Sequence, residues 1–308
     1  MTVSTTPEPA QVVKKKRNPG RNLPAAFGTG IVFGGIVLFL ALGVPALTDN
    51  TLIIQLVWSV GAAIMVGLGL HEVLNHLQAH GYRIPPVAIH IMAQAIVWSA
   101  LAGVTGIMVA FLLSVMLFSV IRLFLDGNKA APTGWLRDTS MGGFLLAWIP
   151  LMGAFTTVLM GFETADGTLK GNLLLVTFVV TVVCSDTGGY TFGVLWGKHP
   201  LAPKVSPKKS WEGLTGSLVC ALIAAIPMTV FLLKLPGWVG IVLAVGLVFP
   251  DIFGDLVESQ VKRELGIKDM SNLLPGHGGM MDRVDGMLPS AAMTWIVLTI
   301  AVALNGLF

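Results

Sequence analysis

The sequence has little charge and few cysteines. Only 11% of its 308 residues are charged, whereas 54% are hydrophobic, and the mean hydropathy is +0.81. Soluble domains carry about 25% charged residues, so this composition excludes an ordinary water-soluble fold. The two cysteines, Cys184 and Cys220, lie inside apolar runs. They argue against a disulfide framework and are too few for a zinc cluster, so we interpret both as small buried apolar side chains.

The sequence contains instead a series of apolar runs of roughly 20 residues, the length of a helix that crosses a bilayer. The short alternating segments of a membrane β-barrel are absent. The runs therefore predict an all-α, polytopic integral membrane protein with about nine transmembrane helices. The predicted spans are 26–48, 51–71, 87–103, 105–124, 141–160, 172–196, 214–233, 238–257 and 287–307.

The lysines and arginines predict the orientation. If the N-terminus is cytoplasmic, 17 of the 19 fall in cytoplasmic segments, and only Lys170 and Lys234 lie outside. This is the bias that the positive-inside rule requires. Merging the third and fourth spans would invert every later loop and remove the bias. We therefore expect nine spans with the N-terminus inside and the C-terminus outside, in the cell (inner) membrane.

Polar residues divide the chain into three parts. Residues 1–22 are polar and basic, which predicts a disordered cytoplasmic tail. Residues 23–140 form the N-terminal transmembrane helices. Residues 141–308 form the functional transmembrane region, with cytoplasmic loops at 197–213 and 258–286, because charges and glycines accumulate there. We expect the active site in a polar cavity on the cytoplasmic side.

Two polar features appear first in this region. Asp186 lies inside the predicted span 172–196, where a carboxylate costs several kcal/mol unless it is paired, solvated or bound to a metal. It is either a structural hydrogen-bonding residue or part of a polar cavity. The loop 204–213 carries Lys208 and Lys209, which either anchor it at anionic lipid or hold phosphate groups.

Acidic residues then recur at helical spacing. Asp251, Asp255, Glu258 and Lys262 are separated by four, three and four residues, so they share one face of a helix that continues out of span 238–257. Three acids at the end of a membrane helix are a poor surface for lipid. They suit a cation or a polar cavity, although Glu258 and Lys262 could simply form an ion pair.

The segment KDMSNLLPGHGGMMDRVDG, residues 268–286, returns two further carboxylates, Asp282 and Asp285, just before the last span. Its glycines let the backbone pass close to a ligand, and His277 is either a structural residue or a base. Carboxylate oxygens suit Mg²⁺, which usually binds a few carboxylates together with substrate phosphates. Acids for a metal beside lysines for phosphate predict phosphoryl or nucleotidyl transfer.

The run SQVKRELGIKDMSNLLPGHGGMMDRVD, residues 259–285, resembles the signature of the bacterial phosphatidate cytidylyltransferase (CDP-diacylglycerol synthase) family. SPKKSWEG at 206–213 and GDLVES at 254–259 are also similar to that family. The resemblance is strong over about 185–286, whereas over 1–140 it rests on polytopic character alone. The signature positions are Ser259, Lys262, Arg263, Lys268, Asp269, Pro275 or Gly276, His277, Gly278, Gly279, Asp282, Arg283 and Asp285.

The resemblance implies that CTP and phosphatidic acid react to CDP-diacylglycerol and diphosphate, a step of phospholipid biosynthesis. It implies Mg²⁺ held by Asp255 and Asp282, with K⁺ as the candidate second cation. The expected partners are CTP, phosphatidic acid and membrane lipid, and no nucleic acid is expected. The abundant small residues would permit a homodimer.

We expect the phosphate oxygen of phosphatidic acid to attack the α-phosphorus of CTP in line, at the membrane surface where the two substrates can meet. The catalytic candidates are Asp255, Ser259, Lys262, Asp282 and Asp285. The substrate-binding candidates are Lys208, Lys209, Arg263, Lys268, His277, Gly278, Gly279 and Arg283. The metal-binding candidates are Asp186, Asp255, Glu258, Asp282 and Asp285.

Other membrane functions remain as alternatives. A transporter of a phosphorylated substrate would spread its charges through the membrane midplane, whereas most of these charges collect at one end of the predicted spans. A CTP-dependent lipid kinase would transfer the γ-phosphate rather than CMP. A CDP-alcohol transferase would carry a D-G-x-x-A-R pattern, which this sequence lacks.

Overall fold

The computed structural model describes residues 23–125, 133–164, 167–274 and 278–304, and within these ranges the chain is mostly helical. The predicted tail 1–22 and His277 lie outside the described residues. The helices are α1 Leu23–Leu38, α2 Val44–Leu47, α3 Thr51–Ala79, α4 Pro86–Ser99, α5 Gly103–Leu125, α6 Trp135–Leu146, α7 Met152–Met160, α8 Gly171–Trp196, α9 Trp211–Pro227, α10 Gly237–Glu264, α11 Met281–Val284 and α12 Met287–Leu304.

The described ranges contain eight helical segments that are long and apolar enough to cross a membrane. This confirms the class of a multi-pass membrane protein. The segments are Gly30–Leu47, Thr51–Ala79, Pro86–Leu125, Trp135–Met160, Gly171–Trp196, Trp211–Leu232, Gly237–Glu264 and Met281–Leu304.

The difference from the predicted nine spans lies in Pro86–Leu125, a stretch of 40 residues that the sequence divides into two spans. The helix is interrupted at Ala100–Ala102, and Gly103 has a φ of 73°, a left-handed conformation that glycine adopts readily. Beyond this break α5 packs back against α4. At 1.5 Å per residue the 14 residues of α4 extend only about 21 Å, less than a hydrocarbon core of about 30 Å. The ninth span therefore stays a prediction.

The surface of the helices suits a lipid environment. On α5, the side chains of Leu112, Met116 and Leu123 are 61%, 69% and 55% exposed. Two charged side chains are instead buried between helices. Arg122 is buried and donates from Nε to Asp138 Oδ2 over 2.9 Å, which joins α5 to α6. Burying both charges costs desolvation, so this pair is tolerated because its geometry satisfies both partners.

One short β-hairpin departs from the all-α prediction. β1 (Pro200–Ala202) pairs with the antiparallel strand β2 (Ser206–Ser210) in the segment 197–213, which the sequence predicted as a loop. Ser210 then begins α9, because its Oγ accepts a hydrogen bond from Gly213 N over 3.1 Å. The hairpin matters because it carries both lysines of the predicted phosphate-binding loop.

The C-terminal helices form a tightly packed unit. A Cβ on Gly188 of α8 would meet the carbonyl oxygen of Gly216 and the side chain of Cys220 on α9, so these two helices approach each other closely. A small apolar core joins α9, α10 and α12, and its members include Ala221, Ala225, Leu243, Ala244, Val248 and Val297. This packing leaves a polar cavity at one end of α8, α9 and α10.

Candidate active site

A cavity of about 510 Å³ lies where the ends of α8, α9 and α10 meet the β-hairpin and the start of α12. It is large enough for a nucleotide-sized ligand by the usual dimensions of binding pockets. Its charged lining residues are Asp186, Lys208, Lys209, Asp251, Asp255, Glu258, Lys262, Asp269, Asp282, Arg283 and Asp285.

Helix α10 supplies one wall of the cavity. It continues to Glu264, beyond the predicted end of span 238–257, so Asp251, Asp255, Glu258 and Lys262 lie on one helix as the spacing predicts. All four line the cavity. The boundary of the predicted loop 258–286 therefore moves, since its first residues are helical.

A close contact between helices brings a distant acid to this wall. A Cβ on Gly254 would meet the carbonyl oxygen of Asp285 and lie 2.9 Å from the Cα of Gly286. Only glycine leaves room for this approach. It places Asp285 beside Asp255 and Glu258, and one carboxylate oxygen from each lies within 4.8 Å of the others.

These three carboxylates fit a hard cation. Glu258 is 1% exposed, and its Oε1 is buried without a hydrogen-bond partner among the residues that the structure describes. A buried carboxylate oxygen normally has a partner, and three oxygen donors at this separation are the ligand type that Mg²⁺ prefers. Asp255, Glu258 and Asp285 are therefore the metal-binding candidates that the structure brings together.

Two lysines neutralise part of this acidic wall. Lys209 Nζ lies 2.8 Å from Asp255 Oδ2 and donates to the carbonyl oxygen of Ile252 over 3.2 Å. Lys262 Nζ contacts Glu258 Oε2 and lies 2.7 Å from Asp282 Oδ1. Because each lysine joins α10 to another element or residue at the cavity, both ammonium groups are held in place.

The two other metal-binding candidates occupy different surroundings. Asp282 lines the cavity, but Oδ1 accepts from Lys262, and Oδ2 accepts from Met270 N over 2.9 Å and Gly279 N over 2.8 Å. Its carboxylate therefore orders the preceding loop. Asp186 is exposed to the cavity, and its side chain is adjacent to that of Asp251.

Of the remaining predicted residues that the structure describes, two line the cavity and the others do not. Lys208 and Arg283 line the cavity, whereas Ser259 supports it from behind by donating to Asp255 Oδ1 over 3.1 Å. Arg263 is exposed and donates from Nε to the carbonyl of Val205 over 3.1 Å. Lys268, Gly278 and Gly279 are not among the described residues that line the cavity. Gly278 and Gly279 belong instead to the turn before Asp282.

Sequence reasoning missed two acids near the site. Asp269 lines the cavity, although it was noted only as a signature position. Glu72 on α3 is not one of the described lining residues, but it is 6% exposed and accepts hydrogen bonds from Met280 N and Met281 N over 2.9 Å each. Glu72 directly follows the predicted span 51–71, and an acid at the end of an apolar span was the signal that could have found it.

The charge balance of the cavity is negative. Its lining contains seven carboxyl groups and four lysine or arginine side chains. Because like charges repel each other strongly in a partly buried site, these carboxylates would repel phosphates unless cations were also bound. The arrangement suits a polyphosphate brought in with a divalent cation.

Comparison with known proteins agrees with this chemistry. A profile of the "Cytidylyltransferase family" matches residues 29–301. The chain belongs to the cytidylyltransferase family. Among its relatives, the "Phosphatidate cytidylyltransferase" of Mycobacterium leprae (strain TN) is 42% identical over 302 residues, covering 94% of this chain and 92% of the relative.

Further relatives carry the same name. The "Phosphatidate cytidylyltransferase" of Mycobacterium bovis (strain ATCC BAA-935 / AF2122/97) is 41% identical over 290 residues, covering 91% of this chain and 90% of the relative. That of Haemophilus influenzae (strain ATCC 51907 / DSM 11121 / KW20 / Rd) is 44% identical over 124 residues, covering 38% of this chain and 42% of the relative. Similarity to the mycobacterial members of the family thus extends over nearly the whole chain.

Proposed function

We propose that this cytidylyltransferase is a phosphatidate cytidylyltransferase, which converts CTP and phosphatidic acid to CDP-diacylglycerol and diphosphate. The main observation is the cluster of carboxylates from Asp255, Glu258 and Asp285 in a cavity that also contains lysines. One Glu258 oxygen there has no hydrogen-bond partner within the described part of the chain. The names of the mycobacterial relatives support the same reaction.

Mg²⁺ is the proposed cofactor, with Asp255, Glu258 and Asp285 as its ligands. When bound, it would neutralise phosphate charge and stabilise the charge that develops during transfer. Asp282 remains a candidate ligand, although its hydrogen bonds favour a role in holding the loop. Asp186 is the candidate for a second cation, for which K⁺ is proposed.

The cationic side chains are proposed to bind the substrate phosphates. Lys208 and Arg283 line the cavity and would contact the triphosphate. Lys209 and Lys262 are held by acids, so their ammonium groups are positioned before a substrate arrives. Positioned charges of this kind stabilise a transferring phosphoryl group without reorganising during the reaction.

The proposed reaction is a single in-line displacement. An ionised phosphate oxygen of phosphatidic acid forms a bond to the α-phosphorus of CTP. The bond from that phosphorus to the oxygen bridging to the β-phosphorus breaks, and its electron pair leaves with diphosphate. The attacking phosphate is already largely ionised near neutral pH, so the chain needs to orient it rather than deprotonate it.

The proposed placement is in the cell membrane, with nine spans, a cytoplasmic N-terminus and the cavity open to the cytoplasm. The distribution of lysine and arginine supports this orientation. A site at the membrane surface would let a lipid phosphate and a soluble nucleotide reach the same atoms. A homodimer also remains a proposal, based on the small residues of the helices.

The test uses purified protein in detergent with phosphatidic acid, Mg²⁺ and CTP labelled in both the α-phosphate and the cytosine. We expect both labels in the lipid fraction and release of diphosphate. Phosphorylated lipid together with CDP would identify a CTP-dependent kinase instead. Retention of both labels in intact CTP, with K⁺ present and the protein folded, would refute the proposal, and uptake of a phosphorylated substrate by vesicles would then identify a transporter.

A further inference from the structure

Glu72 is a buried carboxylate on α3, outside the signature segment and outside the cavity lining. Its Oε1 accepts from Ser271 Oγ over 2.6 Å and from Met280 N over 2.9 Å, and its Oε2 accepts from Met281 N over 2.9 Å. These donors lie at both ends of the segment 271–281. One side chain therefore clamps the start and the end of this segment to α3.

A second contact from the same helix holds the residue before this segment. His76 lies four residues after Glu72, hence on the same face of α3, and its Nε2 lies 2.7 Å from the carbonyl oxygen of Met270. Gly279 passes so close to the clamp that a Cβ there would lie 2.5 Å from Glu72 Oε2. The face of α3 thus shapes the turn before Asp282.

The clamped segment continues directly into the active site. Asp282 Oδ2 accepts from Met270 N and Gly279 N, so the residues held by α3 are those that orient this carboxylate. Asp282 in turn contacts Lys262 on α10, and Asp285 joins the carboxylate cluster one turn later. Hydrogen bonds and the short stretches of backbone between them therefore connect Glu72 to the cavity.

We propose that Glu72 is a positioning residue for the reaction, acting through Met280 and Met281 to place Asp282 and Asp285. Its side chain is not among the described residues that line the cavity. Removing its carboxylate would leave two buried backbone N–H groups without their acceptor, which is costly in a buried environment. The segment would then adopt other positions, and the acids it delivers would lose their alignment with α10.

The test compares Glu72→Gln with a matched control, Glu163→Gln. The amide keeps the shape of the side chain but presents N–H groups toward a backbone N–H. Glu163 is exposed and accepts from Thr51 Oγ1 over 3.2 Å at the opposite end of α3. Hydrogen–deuterium exchange of the full-length protein in detergent gives a readout that does not depend on turnover.

We expect Glu72→Gln to increase exchange in peptides spanning 278–285 at least tenfold, with no change in Glu163→Gln. Per folded molecule, we expect at least a tenfold lower kcat and a higher Mg²⁺ concentration for half-maximal activity. Unchanged exchange over 278–285, or kinetic constants per folded molecule within twofold of the unmodified protein, would overturn the proposal. A purely structural role would lower the yield or Tm alone.

The kinetic expectation rests on the proposed function. The exchange measurement distinguishes a failure of that function from a failure of the proposed role of Glu72. If the unmodified protein forms no CDP-lipid, the function fails while the exchange result still decides whether Glu72 holds the segment. A second pair of variants tests whether Glu72 holds the segment through its contact with Ser271. Ser271→Ala should have little additional effect on exchange in a Glu72→Ala background, whereas full additivity would contradict a shared contact.

Discussion

Lys262 Nζ lies 2.7 Å from Asp282 Oδ1, and this ion pair joins α10 to the segment that precedes α12. The two residues are 20 positions apart in the sequence. Lys262 also contacts Glu258, so one ammonium group links the proposed metal ligands to the loop that Glu72 holds. The cavity is thus assembled from several distant segments whose positions depend on one another.

Asp282→Asn should nearly abolish turnover. The amide would lose one of the acceptor positions used by Lys262, Met270 N and Gly279 N, so both the ion pair and the turn before Asp282 would be disturbed. We expect kcat to fall by about 10²-fold or more, while the protein stays in the membrane fraction. Normal activity at saturating Mg²⁺ would show that the reaction does not require the Asp282 carboxylate.

Lys208→Ala and Lys209→Ala should have different kinetic effects. Lys208 is exposed at the cavity, so its loss should mainly raise KM for CTP. Lys209 pairs with Asp255, so its loss should also lower kcat, because the acid loses its partner. Lys204→Ala, an exposed residue between the two strands, is the control. An unchanged CTP dependence in both variants would contradict a role of these lysines in binding the triphosphate.

Gly254→Ala should impair the site through packing alone. Its new methyl group would meet the backbone of Asp285, and overpacking of this kind typically costs about 1–3 kcal/mol. We expect a lower Tm and a higher Mg²⁺ requirement. Gly237→Ala on the same helix is the matched control, because a Cβ there would have an ordinary 3.5 Å contact with Val230 Cγ2. Equal Tm and Mg²⁺ dependence of the two variants would contradict the importance of this approach.

Glu258→Gln tests the proposed metal cluster. The amide keeps the volume of the side chain but removes a charge from a buried position, so the fold should be retained. We expect activity to fall by about 10²-fold or more and Mn²⁺ binding, measured by electron paramagnetic resonance, to weaken at least tenfold. Unchanged Mn²⁺ binding would exclude Glu258 as a ligand. Glu163→Gln again serves as the exposed control.

Several features were predictable because they depend on local patterns. The membrane class follows from apolar runs, and the shared face of Asp251, Asp255, Glu258 and Lys262 follows from helical periodicity. The β-hairpin was not predicted, because its strands are short and polar. The number of spans stays open at α4, since its length is near the limit at which a helix can cross the bilayer.

The amino-acid sequence by itself determined the apolar helices, the family and the set of acids and lysines from which the site is built. Only the tertiary structure decided that Asp285 joins Asp255 and Glu258, that Lys209 faces Asp255, and that Glu72 supports the turn before Asp282. The reason is physical. Helical spacing is set by neighbouring residues along the chain, whereas these contacts depend on how closely distant helices can pack, as at Gly254.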